Sequence, residues 1–276
     1  MAKKVSIGTY CLAPYARTEK HIRELAECGI DFVVGVEEDI HTLDLMQKYG
    51  IGAYVNGIVP GWWGGDGHDA GKMAKLRPLD LYSQNAHSFS HHPAILGIDI
   101  GDEPSALDFP HYGKISEIVQ NVYGLPVYLN LYPSYGRIYS SDEGQVRHEL
   151  GTDSYADYIR AYVENVKTDY ICFDHYPCLA DPKRFEKDLE IVSEACRSSG
   201  REMWVVLQVN SPDPMHWISL DELRYEAFTA LEHGAKRLIW ACWSAGWWYN
   251  QVLDEKGEKT EQYEKLRTVN LEISAV

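Results

Sequence analysis

Residues 94–104 read AILGIDIGDEP, a short apolar run that ends on two adjacent carboxylates and a proline. The run has the length and composition of a strand in a parallel sheet that helices cover on both faces. Burying a carboxylate costs free energy unless it is paired, so a strand that ends on Asp102 and Glu103 is more typical of a site than of a scaffold. A solvent-exposed turn that carries both side chains is the alternative interpretation.

Seven further runs of this kind occur along the chain. Together with 94–100, the predicted strands are 5–10, 31–36, 51–56, 126–132, 169–175, 202–209 and 237–243. Amphipathic helical patterns separate these runs, and glycines typical of helix C-caps stand just before several strands. These are Gly29, Gly50, Gly124, Gly200 and Gly234.

Eight strand–helix units in series predict an α/β fold, a single (β/α)8 TIM barrel that forms one catalytic domain over residues 1–276. The length of 276 residues is close to the ~250 residues typical of such barrels. An open, doubly wound sheet is the second interpretation. It usually has a glycine-rich phosphate loop after its first strand, whereas this chain continues with CLAP at 11–14.

The composition excludes several classes of function. The net charge of −15, without a run of basic residues, argues against a nucleic-acid partner. The six cysteines lack metal-binding or redox spacing and are expected to be reduced and mostly buried. No run of ~18 apolar residues predicts a membrane span. We expect a soluble protein, cytoplasmic as the chain stands, and secreted or periplasmic if a leader has been removed.

The candidate site follows from the barrel, because chemistry in these barrels lies at the C-terminal ends of the strands. Eight tryptophans and nineteen tyrosines also supply the flat rings that a sugar-binding cleft needs. Two tryptophan pairs in loops, Trp62-Trp63 and Trp247-Trp248, are candidate carbohydrate platforms. The polar and aromatic residues at the predicted strand ends are Tyr10, Glu37, Asn56, Asp102, Glu103, Asn130, Tyr132, Asp174, His175, Tyr176, Gln208 and Trp243.

The GDEP end of the fourth strand resembles the N-E-P strand end of clan A glycoside hydrolases. The likeness extends along the chain through YLNLYPSYG (128–136), ICFDHYP (171–177), LRYEAFTALEHGAKRLIWACW (223–243) and VLDEKGEKTEQYEKLRTVNLEI (252–273). These stretches are similar to bacterial barrels described as β-galactosidase-like. The resemblance implies a glycosidase with a carbohydrate substrate, with Glu103 as acid/base residue and Trp243 as the floor of a sugar subsite. The pattern breaks at the seventh strand, where Gln208 replaces the family's glutamate nucleophile.

The residues themselves leave the second catalytic group open. Glu103 suits a general acid, because a cleft position beside Asp102 raises a carboxyl pKa. Asp174 is the favoured partner and would activate water in an inverting enzyme. Alternatively, Asp102 or Asp174 would orient a 2-acetamido group of the substrate, which attacks the anomeric carbon itself. A carbohydrate-binding barrel without catalysis is the rival function.

The remaining predictions concern binding. We expect Tyr10, Glu37, Asn56, Trp62, Trp63, Asn130, Tyr132, His175, Tyr176, Gln208 and Trp243 to contact substrate. No His, Asp and Glu set has ligand spacing, so no metal and no other cofactor is expected. Asp99 shares strand parity with Glu103 and is expected deeper inside the barrel as a buried, paired group.

Overall fold

All eight predicted strands are present in the computed structural model, which describes residues 5–64, 69–84, 91–136, 149–177 and 181–275. Each strand begins and ends within two residues of its predicted bounds. The strands are β1 Ser6–Tyr10, β2 Phe32–Glu37, β3 Gly52–Asn56, β4 Ile95–Asp102, β5 Val127–Asn130, β6 Tyr170–Asp174, β7 Glu202–Gln208 and β8 Ala235–Ala241.

The strands are parallel and form one eight-stranded sheet in the order β5-β4-β3-β2-β1-β8-β7-β6. Because β1 pairs with both β2 and β8, the first and last strands of the chain are neighbours. The sheet closes on itself through a parallel bridge between Leu131, just after β5, and Phe173 in β6. The prediction of a (β/α)8 barrel is therefore confirmed.

Helices follow the strands around the outside of the barrel. Gly124 and Gly200 adopt left-handed φ values of 67° and 71° at the ends of two of them, as the C-cap pattern predicted. Among the helices of the described ranges, none combines the length and apolar character needed to cross a bilayer. The helices are α1 Glu19–Glu27, α2 Ile40–Lys48, α3 Met73–Leu76, α4 Phe109–Tyr123, α5 Tyr155–Asn165, α6 Pro182–Ser199, α7 Leu220–Glu232 and α8 Glu261–Ser274.

The barrel interior is filled by a second apolar cluster, separate from the one that packs helices onto strands. Aromatic rings dominate it, and the Tyr170 and Trp204 rings stack with centroids 3.7 Å apart. Arg237 lies over the Trp204 ring at 4.1 Å and donates a hydrogen bond to the Tyr54 hydroxyl. The barrel is therefore a packed core, and room for a ligand is left at its ends.

Strand β4 is irregular where it approaches the site. Its register with β5 skips a residue between Asp99 and Gly101, so that Asp102 pairs with Asn130. Because one residue is extra, Asp99 shares the inner face with Asp102, and not with Glu103 as alternation along a regular strand predicted. Burial raises the pKa of Tyr10, which lies inside the barrel, and the charges of both inner carboxyls raise it further.

The described cysteines are all free thiols, as the sequence predicted for them. Four are buried, and Cys11 is partly exposed. The sixth cysteine, Cys178, lies outside the described residues.

Candidate active site

A cleft of about 510 Å³ opens at the C-terminal ends of the strands. Three carboxyl groups lie in it, and most of the remaining lining is aromatic. The lining residues are Trp63, Asp102, Glu103, Tyr132, Pro133, Tyr135, Gly136, Asp174, Tyr176, Trp247 and Trp248.

Glu103 is held by its backbone and its side chain together. It adopts a left-handed φ of 47°, which is uncommon for a residue with a side chain. Its N–H donates to the Asn130 carbonyl oxygen at 3.0 Å, and the Trp63 indole Nε1 donates to Glu103 Oε2 at 3.0 Å. The strained backbone thus turns the carboxyl out of the strand direction and toward an indole donor in the cleft.

The loop after β3 extends the sheet beside Glu103. The Asp102 N–H donates to the Trp62 carbonyl oxygen at 2.8 Å, and the Gly64 N–H donates to the Asp102 carbonyl oxygen at 2.9 Å. The approach is so close that a Cβ on Gly64 would lie 2.1 Å from the Glu103 carbonyl oxygen. Glycine is therefore required at position 64 for Trp63 to reach Glu103.

Asn130 joins the other two carboxyl groups. Its side-chain Nδ2 donates to Asp102 Oδ1 at 2.9 Å and to Asp174 Oδ1 at 2.7 Å. Its Oδ1 accepts from the Cys172 thiol at 3.5 Å, which fixes the orientation of the amide. Both amide protons are used, so Asn130 fixes the positions of the Asp102 and Asp174 carboxyl groups.

The three carboxyls differ in their acidity. Burial raises the pKa of Glu103 well above its usual value, and the charges of Asp174 and Asp102 raise it further, against the hydrogen bond from Trp63. Burial and the Asp102 charge likewise raise the pKa of Asp174 well above its usual value. Burial raises the pKa of Asp102 to about 6, with the Asn130 bond opposing the rise. The environment of the cleft therefore favours the protonated form of Glu103, whereas the Asn130 bond helps Asp102 to ionise.

Aromatic residues wall the cleft and brace one another. The Tyr176 and Trp248 rings meet edge to face at 4.7 Å. The Tyr135 hydroxyl accepts from the Tyr176 N–H at 2.6 Å, and the Tyr132 hydroxyl donates to the Gly64 carbonyl oxygen. Flat rings held in this way can stack on the apolar faces of a sugar.

The structure brings together about half of the predicted site residues. Those that line the cleft are Asp102, Glu103, Asp174, Trp63, Tyr132 and Tyr176, together with the second predicted platform, Trp247 and Trp248.

Three predicted residues are buried away from the cleft. The Trp243 ring is fully buried and packs on Tyr263 of α8, so it does not floor a sugar subsite. The Gln208 side chain is fully buried and donates to the Asn210 carbonyl oxygen at 2.9 Å. The His175 ring is fully buried, with Nδ1 lying 3.0 Å from Asp188 Oδ2. Position at a strand end did not reveal which way each side chain points.

The other predicted contacts also lie elsewhere. Glu37 and Asn56 line a second cavity of about 640 Å³, and Glu37 pairs with Arg17 at 2.6 Å. The Trp62 ring lies under the Arg77 guanidinium at 5.4 Å. Tyr10 is buried inside the barrel, where its hydroxyl bonds to that of Tyr128 at 2.6 Å.

Asn130 is also displaced from its predicted role, because its amide is occupied by carboxylates and it does not line the cleft. Sequence reasoning missed Tyr135, although it lies in the YLNLYPSYG stretch three residues after Tyr132. It also missed Glu149, whose charge contributes to the raised pKa of Glu103. Within the described ranges, no three His, Cys, Asp or Glu side chains are grouped so that they could hold a metal ion.

Comparison with known proteins identifies the fold. No protein-family model matches this sequence, and no curated protein matches it. Among solved structures, a candidate α-L-fucosidase from Bacteroides thetaiotaomicron superimposes with a TM-score of 0.66 at 14% identity, over 99% of this chain and 95% of its own. An endo-1,4-β-D-mannanase from Thermotoga petrophila gives 0.62 at 11% identity, over 97% and 99%.

A β-galacturonidase from Eisenbergiella tayi gives a TM-score of 0.66 at 12% identity, over 95% of this chain. This chain spans about half of that protein, 48% of its length. At such identities the likeness shows the fold alone. This chain thus has the (β/α)8-barrel fold that these carbohydrate-active proteins share.

Proposed function

We propose that this protein is a glycoside hydrolase in which Glu103 is the general acid. The observation that carries the proposal is the position of Glu103 beside Asp102 and Asp174 in an aromatic-walled cleft, where burial and the neighbouring charges raise the pKa of Glu103. A glycosidase needs a proton donor at the leaving oxygen and negative charge near the anomeric carbon. The barrel fold shared with proteins named as glycosidases supports the same conclusion.

In the proposed reaction Glu103 and Asp102 have different roles. Glu103 gives its proton to the glycosidic oxygen as the bond from that oxygen to the anomeric carbon breaks. The Trp63 indole keeps Glu103 Oε2 oriented during this transfer. The ionised Asp102 stabilises the positive charge that develops on the sugar ring.

Two routes complete the reaction. In the inverting route, water attacks the anomeric carbon and loses a proton to Asp174. In the substrate-assisted route, the carbonyl oxygen of a 2-acetamido group attacks the anomeric carbon and forms a cyclic intermediate, while Asp102 accepts a hydrogen bond from the acetamido N–H. Water then attacks the anomeric carbon, breaks its bond to the acetamido oxygen and gives a proton to the Glu103 carboxylate. The raised pKa of Asp174 favours its protonated form, which cannot accept a proton from water, and this supports the substrate-assisted route.

Replacing Glu103 with glutamine tests the central assignment. Glu103→Gln should lower turnover at least ~10²-fold on glycosides with poor leaving groups, and less on nitrophenyl glycosides with very good ones. Glu117→Gln is the matched control, because Glu117 is an exposed residue of α4 whose surface ion pair with Lys167 is 3.4 Å long. Full activity of Glu103→Gln on both kinds of substrate would refute the assignment.

Product stereochemistry distinguishes the two routes. We expect NMR of the first-formed product to show retention, restricted to substrates that carry a 2-acetamido group. Inversion would instead assign the base to Asp174. Retention on sugars without that group would contradict both routes, because it requires an enzyme nucleophile.

The rival function is a carbohydrate-binding barrel without catalysis. It is favoured by Gln208, which puts a buried amide in place of a carboxylate at the end of β7. Calorimetric binding of oligosaccharides without turnover, across a panel of neutral and N-acetylated glycosides, would establish this function instead.

A further inference from the structure

Two cysteines adjoin the Trp247–Trp248 wall of the cleft. Cys11 follows β1 and Cys242 follows β8, and these strands pair in parallel with Thr9 opposite Trp240. Just beyond these paired residues the Trp243 N–H donates to the Tyr10 carbonyl oxygen at 2.9 Å, which keeps the two segments that carry the cysteines side by side. Neighbouring strands are about 4.8 Å apart, which lies within the Cα separation of about 4.4–6.8 Å that a disulfide needs.

The two sulfur atoms lie together in this structure. The Cys242 thiol is close enough to Cys11 to lower the pKa of the Cys11 thiol. Both sulfurs also pack against Gly246, where an added Cβ would lie 2.7 Å from Cys242 Sγ and 3.1 Å from Cys11 Sγ. Cys11 is partly exposed, whereas Cys242 is fully buried.

The pair is linked to the loop that carries the two tryptophans. The backbone of Trp247 is close enough to the Cys242 thiol to lower its pKa, against the larger effect of burial. The Ser244 hydroxyl donates to the Cys11 carbonyl oxygen at 3.1 Å, and it accepts from the Ala13 N–H at 3.0 Å. A change at either sulfur therefore reaches Trp247 through Gly246, the residue that precedes it.

We propose that Cys11 and Cys242 form a reactive dithiol beside the cleft, which a low-molecular-weight disulfide converts into a Cys11–Cys242 disulfide. The Cys11 thiolate attacks one sulfur of the small disulfide, and one small thiol leaves. The Cys242 thiolate then attacks Cys11 Sγ, and the second small thiol leaves. The two cysteine protons end on the two released thiols, so that the protein loses two electrons and the small disulfide gains them.

The environments of the two sulfurs set their order of reaction. The hydrogen bond from Cys242 lowers the pKa of Cys11, and burial raises the pKa of Cys242. A partly exposed thiol with a lowered pKa is the better attacking group. Cys11 therefore reacts first, and Cys242 resolves the mixed disulfide.

The test uses the full chain in a Cys178→Ser background, with oxidised glutathione as the small disulfide. After acid quenching and peptide mapping, we expect a cross-linked peptide that joins Cys11 to Cys242, while the buried Cys28, Cys172 and Cys196 stay reduced. An unmodified Cys11, or a disulfide between any other pair, would overturn the proposal.

Single substitutions test the order of attack. Cys242→Ser should stop at a stable adduct of one glutathione on Cys11, whereas Cys11→Ser should leave Cys242 unmodified. Cys242→Ala repeats the first experiment if the serine variant does not fold. Failure of the folded Cys242 variants to accumulate the adduct would contradict the assigned roles.

Tryptophan fluorescence tests the link to the loop. Oxidation should change the emission of Trp247 and Trp248 reversibly in the Cys178→Ser protein, with recovery on adding dithiothreitol. The same treatment should leave the emission of Cys11→Ser unchanged. Equal emission of the oxidised and reduced Cys178→Ser protein would show that the dithiol does not act on the cleft wall.

Discussion

Among single residues, Asn130 decides how charge is distributed in the cleft. Its amide bonds to both Asp102 and Asp174 at the rear of the cleft, and it leaves Glu103 to a single indole donor on the other side. Hydrogen bonds to a carboxylate lower its pKa, so the Asn130 bond helps Asp102 ionise against the effect of burial, while burial and the neighbouring charges raise the pKa of Glu103. A neutral amide can do this without adding a cation that would lower the pKa of the acid as well.

Asp99 is a titrating group below the cleft, and its effect on stability can be measured. Burial raises the pKa of Asp99 to about 7, and the Asp102 charge contributes to the rise. A folded-state pKa above the unfolded value of ~3.9 means that stability falls as pH rises from about 4 to about 7. Asp99→Asn removes this loss. The variant should therefore be more stable than the unsubstituted protein, and the difference in the free energy of unfolding should increase between pH 4 and pH 7. Above pH 7 it should reach on the order of 2 kcal/mol.

Urea unfolding of Asp99→Asn at several pH values checks this expectation. Asp221→Asn is the control for the substitution itself, because Asp221 is highly exposed. A gain of equal size at pH 4 and pH 8 would show that Asp99 does not titrate in this range.

The sequence predicted the carboxyl groups of the cleft better than its binding residues. Asp102, Glu103 and Asp174 could be predicted because a charged residue directly after a buried strand has few structural explanations. Trp243 and Gln208 could not be placed correctly, since a large ring or an amide at a strand end suits a buried position equally well.

Among the elements, the contact between the β3 loop and the end of β4 builds the site. Alternation along β4 could not predict it, because the skipped residue between Asp99 and Gly101 changes which side chains face inward. The strand bounds themselves were predictable, since apolar runs flanked by capping glycines define them locally. A bulge and a neighbouring loop depend on tertiary contacts that no local pattern records.

Gly64→Ala tests whether that contact positions Glu103. The added Cβ would meet the Glu103 carbonyl oxygen at 2.1 Å, so either the loop or the end of β4 must move. We expect a loss of about 1–3 kcal/mol in stability and a loss of activity through displacement of Trp63.

Gly61→Ala is a control within the same loop, because a Cβ there meets no atom within 4 Å. Its thermal unfolding and turnover should match those of the unsubstituted protein. Equal behaviour of Gly64→Ala and Gly61→Ala would remove the steric argument.

For the whole molecule, the strands of the closed barrel are joined to their neighbours by unequal numbers of backbone pairs. Six registered residue pairs join β7 to β8, whereas the described backbone pairing between β5 and β6 is the single bridge of Leu131 with Phe173. The Tyr170 side chain adds two hydrogen bonds between β6 and β5. Its hydroxyl donates to the Val127 carbonyl oxygen and accepts from the Leu129 N–H, each at 2.9 Å.

Tyr170→Phe should therefore weaken barrel closure specifically. It leaves a buried N–H and a buried carbonyl of β5 without their partner, which costs about 1–3 kcal/mol. Tyr82→Phe is the matched control, because the buried Tyr82 hydroxyl has no hydrogen-bond partner among the described residues, and its removal should cost little. Hydrogen exchange should show faster exchange at Leu129 and Leu131 in Tyr170→Phe, with the β7 amides unchanged at first. Equal stability of the two variants would mean that the backbone bridge alone holds β5 and β6 together.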